Sequence, residues 1–226
     1  MLEIIYQDQY MVAVNKPHGL LVHRSSIAAD AEEFALQMVR DQIGKTLYPV
    51  HRLDRKTSGV LVFALNSRVA AKLKTILEHP ETQKRYIAIV RGYFPDNIEV
   101  DYPLTNDRGK VQNAMTFFKR VKRSELTIPL GKHATSRYSF IEAYPKTGRM
   151  HQIRKHLNHL RHPIIGDRPH GCNKQNRLFK ERWNMNTMLL HAAELNLIHP
   201  ITEAAMVIKA VPSEVFSSMR TELRLV

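Results

Sequence analysis

The sequence lacks the features that mark several large classes of protein. It contains no apolar run near the roughly 20 residues that a membrane-spanning helix requires. Residues 1–14 carry an acid near the start and no basic segment, which is unlike a signal peptide. Cys172 is the single cysteine, so neither an intrachain disulfide nor a thiolate metal cluster can form. These absences predict a soluble, cytoplasmic protein with no membrane segment.

Acidic residues are also comparatively few. Asp and Glu total 21 against 34 Lys and Arg, which gives a net charge of +13. Such an excess favours a polyanionic partner, because cations that neutralise phosphates release counterions. DNA, RNA, an anionic membrane and a ribosomal-type structural role all fit this balance. The positive charge is spread along the chain without a basic tail, which predicts a folded binding face.

Glycine is scarce, with nine residues, and no phosphate-binding fingerprint of the Walker or dinucleotide type occurs. The G-x-S-x-G elbow of serine hydrolases is absent as well. His156, His159 and His162 are spaced three apart, but no carboxylate lies among them, and no H-E-x-x-H pattern occurs. We therefore expect neither a cofactor nor a metal ion, and we expect these histidines to face RNA phosphate or solvent.

The pattern of apolar residues predicts an α+β fold with a mostly antiparallel sheet, because strands outnumber helices and most connections resemble hairpins. The predicted strands are a hairpin over 2–16, a buried strand over 59–65, strands over 84–91, 115–120 and 136–144, and a closing hairpin over 188–198 and 206–210. The predicted helices cover 30–43 (N-cap Asp30, stop Gly44), 67–79 (caps Asn66 or Ser67), 151–160 and 213–219. Residues 101–114 are predicted as turns and 168–186 as a loop. No repeat or boundary is evident, so we predict one domain over 1–226.

The most informative segment is HRLDRKTSG at 51–59, where Asp54 lies between Arg52 and Arg55. Neighbouring cations favour the ionised form of a carboxylate, which suggests a nucleophile or base that acts on a polyanion. A surface ion-pair turn is the alternative. Two further clusters are Lys84-Arg85-Tyr86 and the segment 147–154, although a strand-face aromatic and solvated arginines would explain them too. Taken together, a carboxylate, a tyrosine and several arginines suit cofactor-free chemistry on a nucleic-acid base.

These motifs resemble those of the RluA-type pseudouridine synthases. The matching strings are NKPHGLLVH at 15–23, HRLDRKTSG at 51–59, KRY at 84–86, TGRMHQIR at 147–154 and HPIIGD at 162–167. The resemblance implies the pseudouridine synthase catalytic fold, in which a mixed, mostly antiparallel central sheet is flanked by helices and loops around a basic RNA-binding cleft. It implies a single catalytic domain without an S4-like domain before it.

The similarity is greatest to the branch of that family that modifies the uridine at tRNA position 65. It implies tRNA as the partner. Nothing in the sequence demands an obligate protein partner, so a monomer is the default expectation. Two alternatives remain: the same chemistry on ribosomal RNA, and a non-catalytic RNA-binding protein. Residues 103–135 carry no motif that aligns, and their basic residues fit phosphate contacts or a solvated strand edge equally well.

The resemblance also implies roles for individual residues. Asp54 is the catalytic carboxylate and attacks either the ribose C1′ or the uracil C6. Arg154 pairs with Asp54, and Tyr86 stacks on the flipped uracil and helps to remove the C5 proton. Arg52 fills the vacated space or grips a phosphate, and Ile153 packs beside the base. The full set of predicted RNA contacts is Arg52, Arg55, Arg85, Arg149, His151, Ile153, Lys155, Arg168, Lys174 and Arg177.

Overall fold

A computed structural model describes residues 1–23 and 32–226 of the chain. The strands are β1 (Glu3–Gln7), β2 (Met11–Lys16), β3 (Tyr48–Pro49), β4 (Ser58–Ala64), β5 (Gln83–Arg91), β6 (Asn97–Asp101), β7 (Leu104–Thr105), β8 (Val111–Gln112), β9 (Met115–Leu126), β10 (Ser136–Pro145), β11 (Leu190–Ile198) and β12 (Ala205–Lys209). The helices are α1 (Ala35–Ile43), α2 (Ser67–Glu78), α3 (Gln152–His159), α4 (Asn173–Trp183) and α5 (Glu214–Glu222). Within these described ranges, no helix has the length and apolar character needed to cross a membrane.

The chain divides into two compact units. Unit 1 comprises Met1–Lys84 and Ala192–Pro212, and unit 2 comprises Arg85–His191 and Ser213–Val226. Strand pairing inside both units is antiparallel, which confirms the predicted α+β class with mostly antiparallel strands. The interpretation of 1–226 as one catalytic domain stays a prediction.

Unit 1 is built on the apolar strand that the sequence predicted as buried. This strand, β4, pairs with β2 and β3, and β1 completes the N-terminal hairpin. Val60 of β4 shares a core with Leu73 of α2 and Leu195 of β11. Asn66 Oδ1 accepts a hydrogen bond from Val69 N over 2.9 Å, which confirms the predicted N-cap of α2. The hairpin, the strand and the helix therefore agree with their sequence patterns.

Helix α1 begins later than predicted. It starts at Ala35, and the buried Phe34 precedes it with an extended backbone at φ −136°. The helix ends at Gly44, whose φ of 66° is the left-handed conformation that glycine adopts without strain. The predicted N-cap, Asp30, lies outside the described residues.

Unit 2 contains an antiparallel sheet in the order β5–β10–β9–β6. Strand β9 continues to Leu126 instead of ending near residue 120, and β6 and the short β7–β8 hairpin are strands that we did not predict. The second half of β9 is mostly exposed and half of its residues are charged, so it lacks apolar alternation. Its backbone pairing with β10, a non-local interaction, makes it a strand. Phe118, Ile141 and Leu157 form part of the core between this sheet and α3.

The prediction of a loop over 168–186 is wrong, because residues 173–183 form helix α4. Two positions four residues apart, Gln175 and Phe179, are buried and dock the helix. Tyr138 OH donates a hydrogen bond to Gln175 Oε1 over 3.0 Å, and the Tyr138 and Phe179 rings meet edge to face. The remaining residues include Lys, Arg and Glu, which have high helix propensity despite their polarity.

Candidate active site

Asp54 lies in the loop between β3 and β4, and the residues around it are anchored. Leu53 and Thr57 are buried, whereas Asp54 is half-buried and Arg52 and Arg55 are exposed. Thr57 N donates a hydrogen bond to Asp54 O over 3.0 Å and closes the turn. Unit 1 therefore presents the predicted carboxylate from a fixed turn, and its two neighbouring arginines reach solvent.

Lys16, at the end of β2, is a residue of this site to which sequence reasoning assigned no role. The side chain is fully buried, and Nζ donates hydrogen bonds to the carbonyl oxygens of Pro17, Leu20 and Arg55 over 2.9, 2.8 and 3.2 Å. Three acceptors match the three N–H groups of an ammonium ion. Burial lowers the pKa of Lys16 to about 7, while the negative charge of Asp54 acts in the opposite direction. Because this pKa is close to neutral pH, only part of the Lys16 population carries a positive charge beside the Asp54 loop.

The segment after Lys16 is joined directly to the loop that carries Asp54. Gly19 N donates to Arg55 O over 2.8 Å, and Arg55 Nε donates back to Gly19 O over 3.1 Å. Gly19 has a φ of 90°, a backbone conformation that residues other than glycine rarely adopt. The two motifs NKPHG and HRLDR therefore form one hydrogen-bonded structure, although residues 20–50 separate them in sequence.

The two histidines inside these motifs, His18 and His51, are held neutral. Burial lowers the pKa of His51 to about 4, and its Nε2 accepts a hydrogen bond from Val62 N over 2.9 Å. The pKa of His18 is also lowered to about 4, first by burial and then by the positive charges of Lys56 and Lys16. At neutral pH the charges around Asp54 in unit 1 therefore come from lysine and arginine.

Tyr86 lies on β5 in unit 2, as predicted. It is half-buried, packs against the core of that unit and sits opposite Ala143 of β10. Its neighbour Arg85, a predicted RNA contact, forms an ion pair with Glu142 in which Nη1 and Oε1 are 3.2 Å apart. Glu142 also accepts a hydrogen bond from Tyr144 OH over 2.9 Å. The sheet thus fixes the backbone of Tyr86, and Arg85 is engaged in an ion pair with a neighbouring strand.

The turn before α3 is organised by Gln152. Its Oε1 accepts hydrogen bonds from Thr147 Oγ1 over 2.7 Å and from Arg149 N over 3.0 Å. Its Nε2 donates to Met115 O and Thr116 Oγ1, both over 2.9 Å. His151 starts the helix with a φ of 55°, and its Nδ1 lies 3.0 Å from Nε2 of His170. This buried amide therefore sets the direction in which α3 leaves the TGR turn.

Arg154, on α3, forms a buried bidentate ion pair with Asp167. Its Nε and Nη2 donate to Asp167 Oδ2 and Oδ1 over 2.8 and 2.9 Å, and the two side chains are 5% and 1% exposed. Burial acts to raise the pKa of Asp167, but the hydrogen bonds and the charge of Arg154 outweigh it and lower the pKa. This pair was not predicted from the sequence, although HPIIGD ends on this acid. The predicted pairing of Arg154 with Asp54 involves residues of different units and stays a prediction.

The remaining predicted RNA contacts lie in several environments of unit 2. Ile153 is buried in the core. Arg149 and Lys155 are half-buried, and they donate to Asn113 O and Thr105 O, both over 3.0 Å. Exposed positions on or next to α4 hold the last three, Arg168, Lys174 and Arg177.

The three spaced histidines face the protein more than expected. His156 is fully buried, with Nδ1 3.0 Å from Thr116 Oγ1 and Nε2 3.0 Å from Tyr102 O. His159 stacks on the Tyr102 ring at a centroid distance of 3.9 Å. The expectation of a phosphate- or solvent-facing series is therefore wrong for His156. Across residues 1–23 and 32–226, no group of three or more His, Cys, Asp or Glu is arranged to hold a metal ion.

Comparison with known proteins identifies the family. A family model described as RNA pseudouridylate synthase matches residues 10–159. A Vibrio cholerae protein named tRNA pseudouridine synthase C is 47% identical over 233 aligned positions, which cover 98% of this chain and 96% of that protein. A Salmonella typhi protein of the same name is 44% identical and covers 98% of this chain and 90% of its own.

Two solved human structures share the fold. RNA Pseudouridylate Synthase Domain Containing 4 has a TM-score of 0.73 at 24% identity, covering 98% of this chain and 93% of that one. RNA Pseudouridylate Synthase Domain Containing 1 has a TM-score of 0.71 at 19% identity, covering 100% and 96%. The chain therefore belongs to the RNA pseudouridylate synthase family. The RluA-type resemblance, the fold class and the enzyme class expected from the sequence are confirmed.

Proposed function

We propose that this chain converts a uridine of tRNA, the one at position 65, into pseudouridine. The proposal is carried by the near full-length identity to proteins named tRNA pseudouridine synthase C. Position 65 is implied by the resemblance of the motifs to the branch that acts there. Ribosomal RNA as the substrate and a purely RNA-binding role are not favoured by these relatives.

The reaction is an isomerisation that needs no external reactant. The bond between uracil N1 and ribose C1′ breaks, a bond between C5 and C1′ forms, C5 loses its proton and N1 gains one. We assign the nucleophile to Asp54, which attacks C1′ or C6 as an ionised carboxylate. The buried Lys16 supports this assignment, because its protonated form places a positive charge near the carboxylate.

The target uridine must leave the RNA stack before the protein can reach its glycosidic bond. We assign the stacking platform to Tyr86, since an aromatic ring can return about 1–3 kcal/mol per stacked base. Arg154 is assigned to orienting and charge-balancing Asp54, and Asp167 holds its guanidinium in one geometry. Arg52 is assigned to the space vacated by the flipped nucleotide, and Ile153 is assigned to packing beside the base.

The RNA backbone is assigned to the cationic residues of the motifs and of α4. Arg52, Arg55, Arg168, Lys174 and Arg177 are exposed and suited to phosphate contacts. Further contacts are assigned to Arg85, Arg149, His151 and Lys155. The proposal takes the protein to act as a monomer in the cytoplasm, with tRNA as its partner and one catalytic domain formed by residues 1–226.

The decisive experiment measures tritium release from tRNA labelled at uracil C5, with wild type and Asp54→Asn compared. Asn keeps the size of the side chain and removes the nucleophile, so turnover should be abolished while tRNA affinity is nearly unchanged. Asp41→Asn is the matched control, because Asp41 is an exposed acid of the same unit. Residual activity above a few per cent in Asp54→Asn would refute the nucleophile. Tritium release from ribosomal RNA alone would make ribosomal RNA the substrate, and release from neither RNA would refute the proposed function.

A further inference from the structure

A polar cavity of about 550 Å³ lies in unit 2 beside the turn that contains Gly166 and Arg168. One wall is a face of α4 that includes Asn176, Arg177 and Lys180. Residues three or four positions apart are neighbours on a helix surface, so these side chains border the same space. Asn184, at the end of the helix, extends the wall.

Cations dominate this cavity. Arg168, Arg177 and Lys180 line it, and among the described lining residues Glu181 is the one carboxylate, which leaves an excess of positive charge. All three cations are exposed, so an incoming anion can reach them. A guanidinium group matches a phosphate with two parallel hydrogen bonds. Amide side chains such as Asn184 can both donate to and accept from base edges. This combination fits a nucleotide better than an apolar ligand.

The cavity is preformed by buried contacts. Asn176 Oδ1 accepts a hydrogen bond from Gly166 N over 2.9 Å, and its Nδ2 donates to Asp167 O over 2.7 Å. On another face of α4, Gln175 and Phe179 dock the helix in the core. Because the backbone of both walls is already fixed, a bound nucleotide orders mainly the exposed side chains of the three cations.

The same contacts connect the cavity to Arg154. The backbone oxygen that Asn176 holds belongs to Asp167, whose carboxylate binds Arg154 through two hydrogen bonds. A nucleotide beside Arg168 therefore sits next to the acid that orients this arginine. RNA bound there is positioned relative to α3 through two consecutive contacts of one unit, Asn176 to Asp167 and Asp167 to Arg154.

We propose that this cavity binds a nucleotide of the substrate RNA other than the target uridine, with its phosphate held by Arg168, Arg177 and Lys180. This inference rests on the proposed function as an RNA-modifying enzyme. It adds a defined subsite in which Lys180 and the asparagines participate, and it assigns to α4 the role of fixing the position of the RNA.

The test compares Arg177→Gln and Lys180→Gln with Arg182→Gln in the full-length protein. Arg182 lies on the same helix and carries the same charge, but its guanidinium sits over the Trp183 ring at 5.3 Å from the centroid. The cavity variants should raise KM for tRNA about tenfold with kcat within about twofold, because a phosphate contact contributes equally to substrate and transition-state binding. Each should reduce the slope of log Kd against log salt by about 0.7–0.9. Arg182→Gln should change neither quantity.

Binding is measured independently of turnover through Trp183, the single tryptophan, whose fluorescence reports on RNA next to α4. Weaker tRNA binding in the two cavity variants alone would support the subsite. Equal losses of tRNA affinity in all three variants would overturn the subsite and indicate non-specific electrostatic attraction instead. Unchanged tRNA affinity in the two cavity variants would also overturn it. Absence of pseudouridine in the wild-type reaction would refute the proposed function instead, since the fluorescence titration requires no catalysis.

Discussion

Because Arg154 and Asp167 form a buried ion pair, removing the charge of Asp167 should strongly lower the stability of the protein. Asp167→Asn keeps the size of the side chain and removes its negative charge, so the guanidinium stays buried without its ionic partner. The two side chains are 5% and 1% exposed and are joined by hydrogen bonds of 2.8 and 2.9 Å. Breaking a buried pair by removing one partner costs about 3–5 kcal/mol of unfolding free energy.

Thermal unfolding monitored by circular dichroism measures this effect. For a chain of this size, 1 kcal/mol corresponds to about 2–4 °C in Tm, so Asp167→Asn should lower Tm by about 6–20 °C. Glu142→Gln is the matched control, because its pair with Arg85 is 27% and 20% exposed and should contribute about 1 kcal/mol or less. Equal shifts in the two variants would refute the reasoning from burial.

A double variant separates the loss of the pair from the cost of an unpaired charge. Arg154→Met with Asp167→Leu replaces the ions by apolar side chains, which is often nearly neutral for a buried pair. Its Tm should therefore exceed that of Asp167→Asn. A double variant less stable than Asp167→Asn would show that something other than the unpaired charge causes the loss.

The pH dependence follows from the lowered pKa of Asp167. The folded-state pKa lies below the unfolded value of about 3.9, so this carboxylate stabilises the protein above pH 4. That contribution is lost as the pH falls through the folded-state pKa. The difference in Tm between wild type and Asp167→Asn should therefore become smaller as the pH falls below about 4. A difference in Tm that stays constant in this acid range would contradict the lowered pKa of Asp167.

Two further predictions concern unit 1 and are checked by urea denaturation. Lys16→Met leaves three backbone carbonyl acceptors without their donor and should lower stability by about 2 kcal/mol. Lys74→Met, at an exposed lysine of α2, should have little effect, and equal effects of the two variants would argue against the buried contacts. Gly59→Ala places a Cβ 2.2 Å from Ala192 O and should cost about 2–3 kcal/mol more than Gly44→Ala. At Gly44 φ is also positive, but among the described residues other than its chain neighbours no atom lies within 4 Å of the added Cβ. Similar losses at both glycines would show that backbone conformation, and not the clash, dominates.

Elements with a strong local pattern could be predicted from the sequence. The β1–β2 hairpin, the buried strand β4 and the capped helix α2 each combine apolar periodicity with a turn or cap residue at the expected place. Helix α4 could not be predicted in the same way, because only Gln175 and Phe179 are buried along its 11 residues. Its docking site is supplied by Tyr138, which lies far away in sequence.

The motifs identified the candidate catalytic residues but not the contacts that hold them. Asp54, Tyr86 and Arg154 stood out because their residue types and spacing resemble a known family. The partner of Arg154 was missed because a carboxylate 13 positions away has no helical or strand periodicity relative to it. Lys16 was passed over because a lysine at the end of a strand usually reaches solvent, and burial of its ammonium depends on carbonyls from two separate segments.

In each unit, a predicted catalytic residue is supported by a buried charge that lies in another motif. Lys16 belongs to NKPHG and supports the loop of Asp54, whereas Asp167 belongs to HPIIGD and orients Arg154. A buried charge is unfavourable unless hydrogen bonds and an opposite charge compensate it, so such residues fit only one local geometry. NKPHG and HPIIGD therefore contribute Lys16 and Asp167, which hold the backbone of the loop next to Asp54 and the guanidinium of Arg154, respectively.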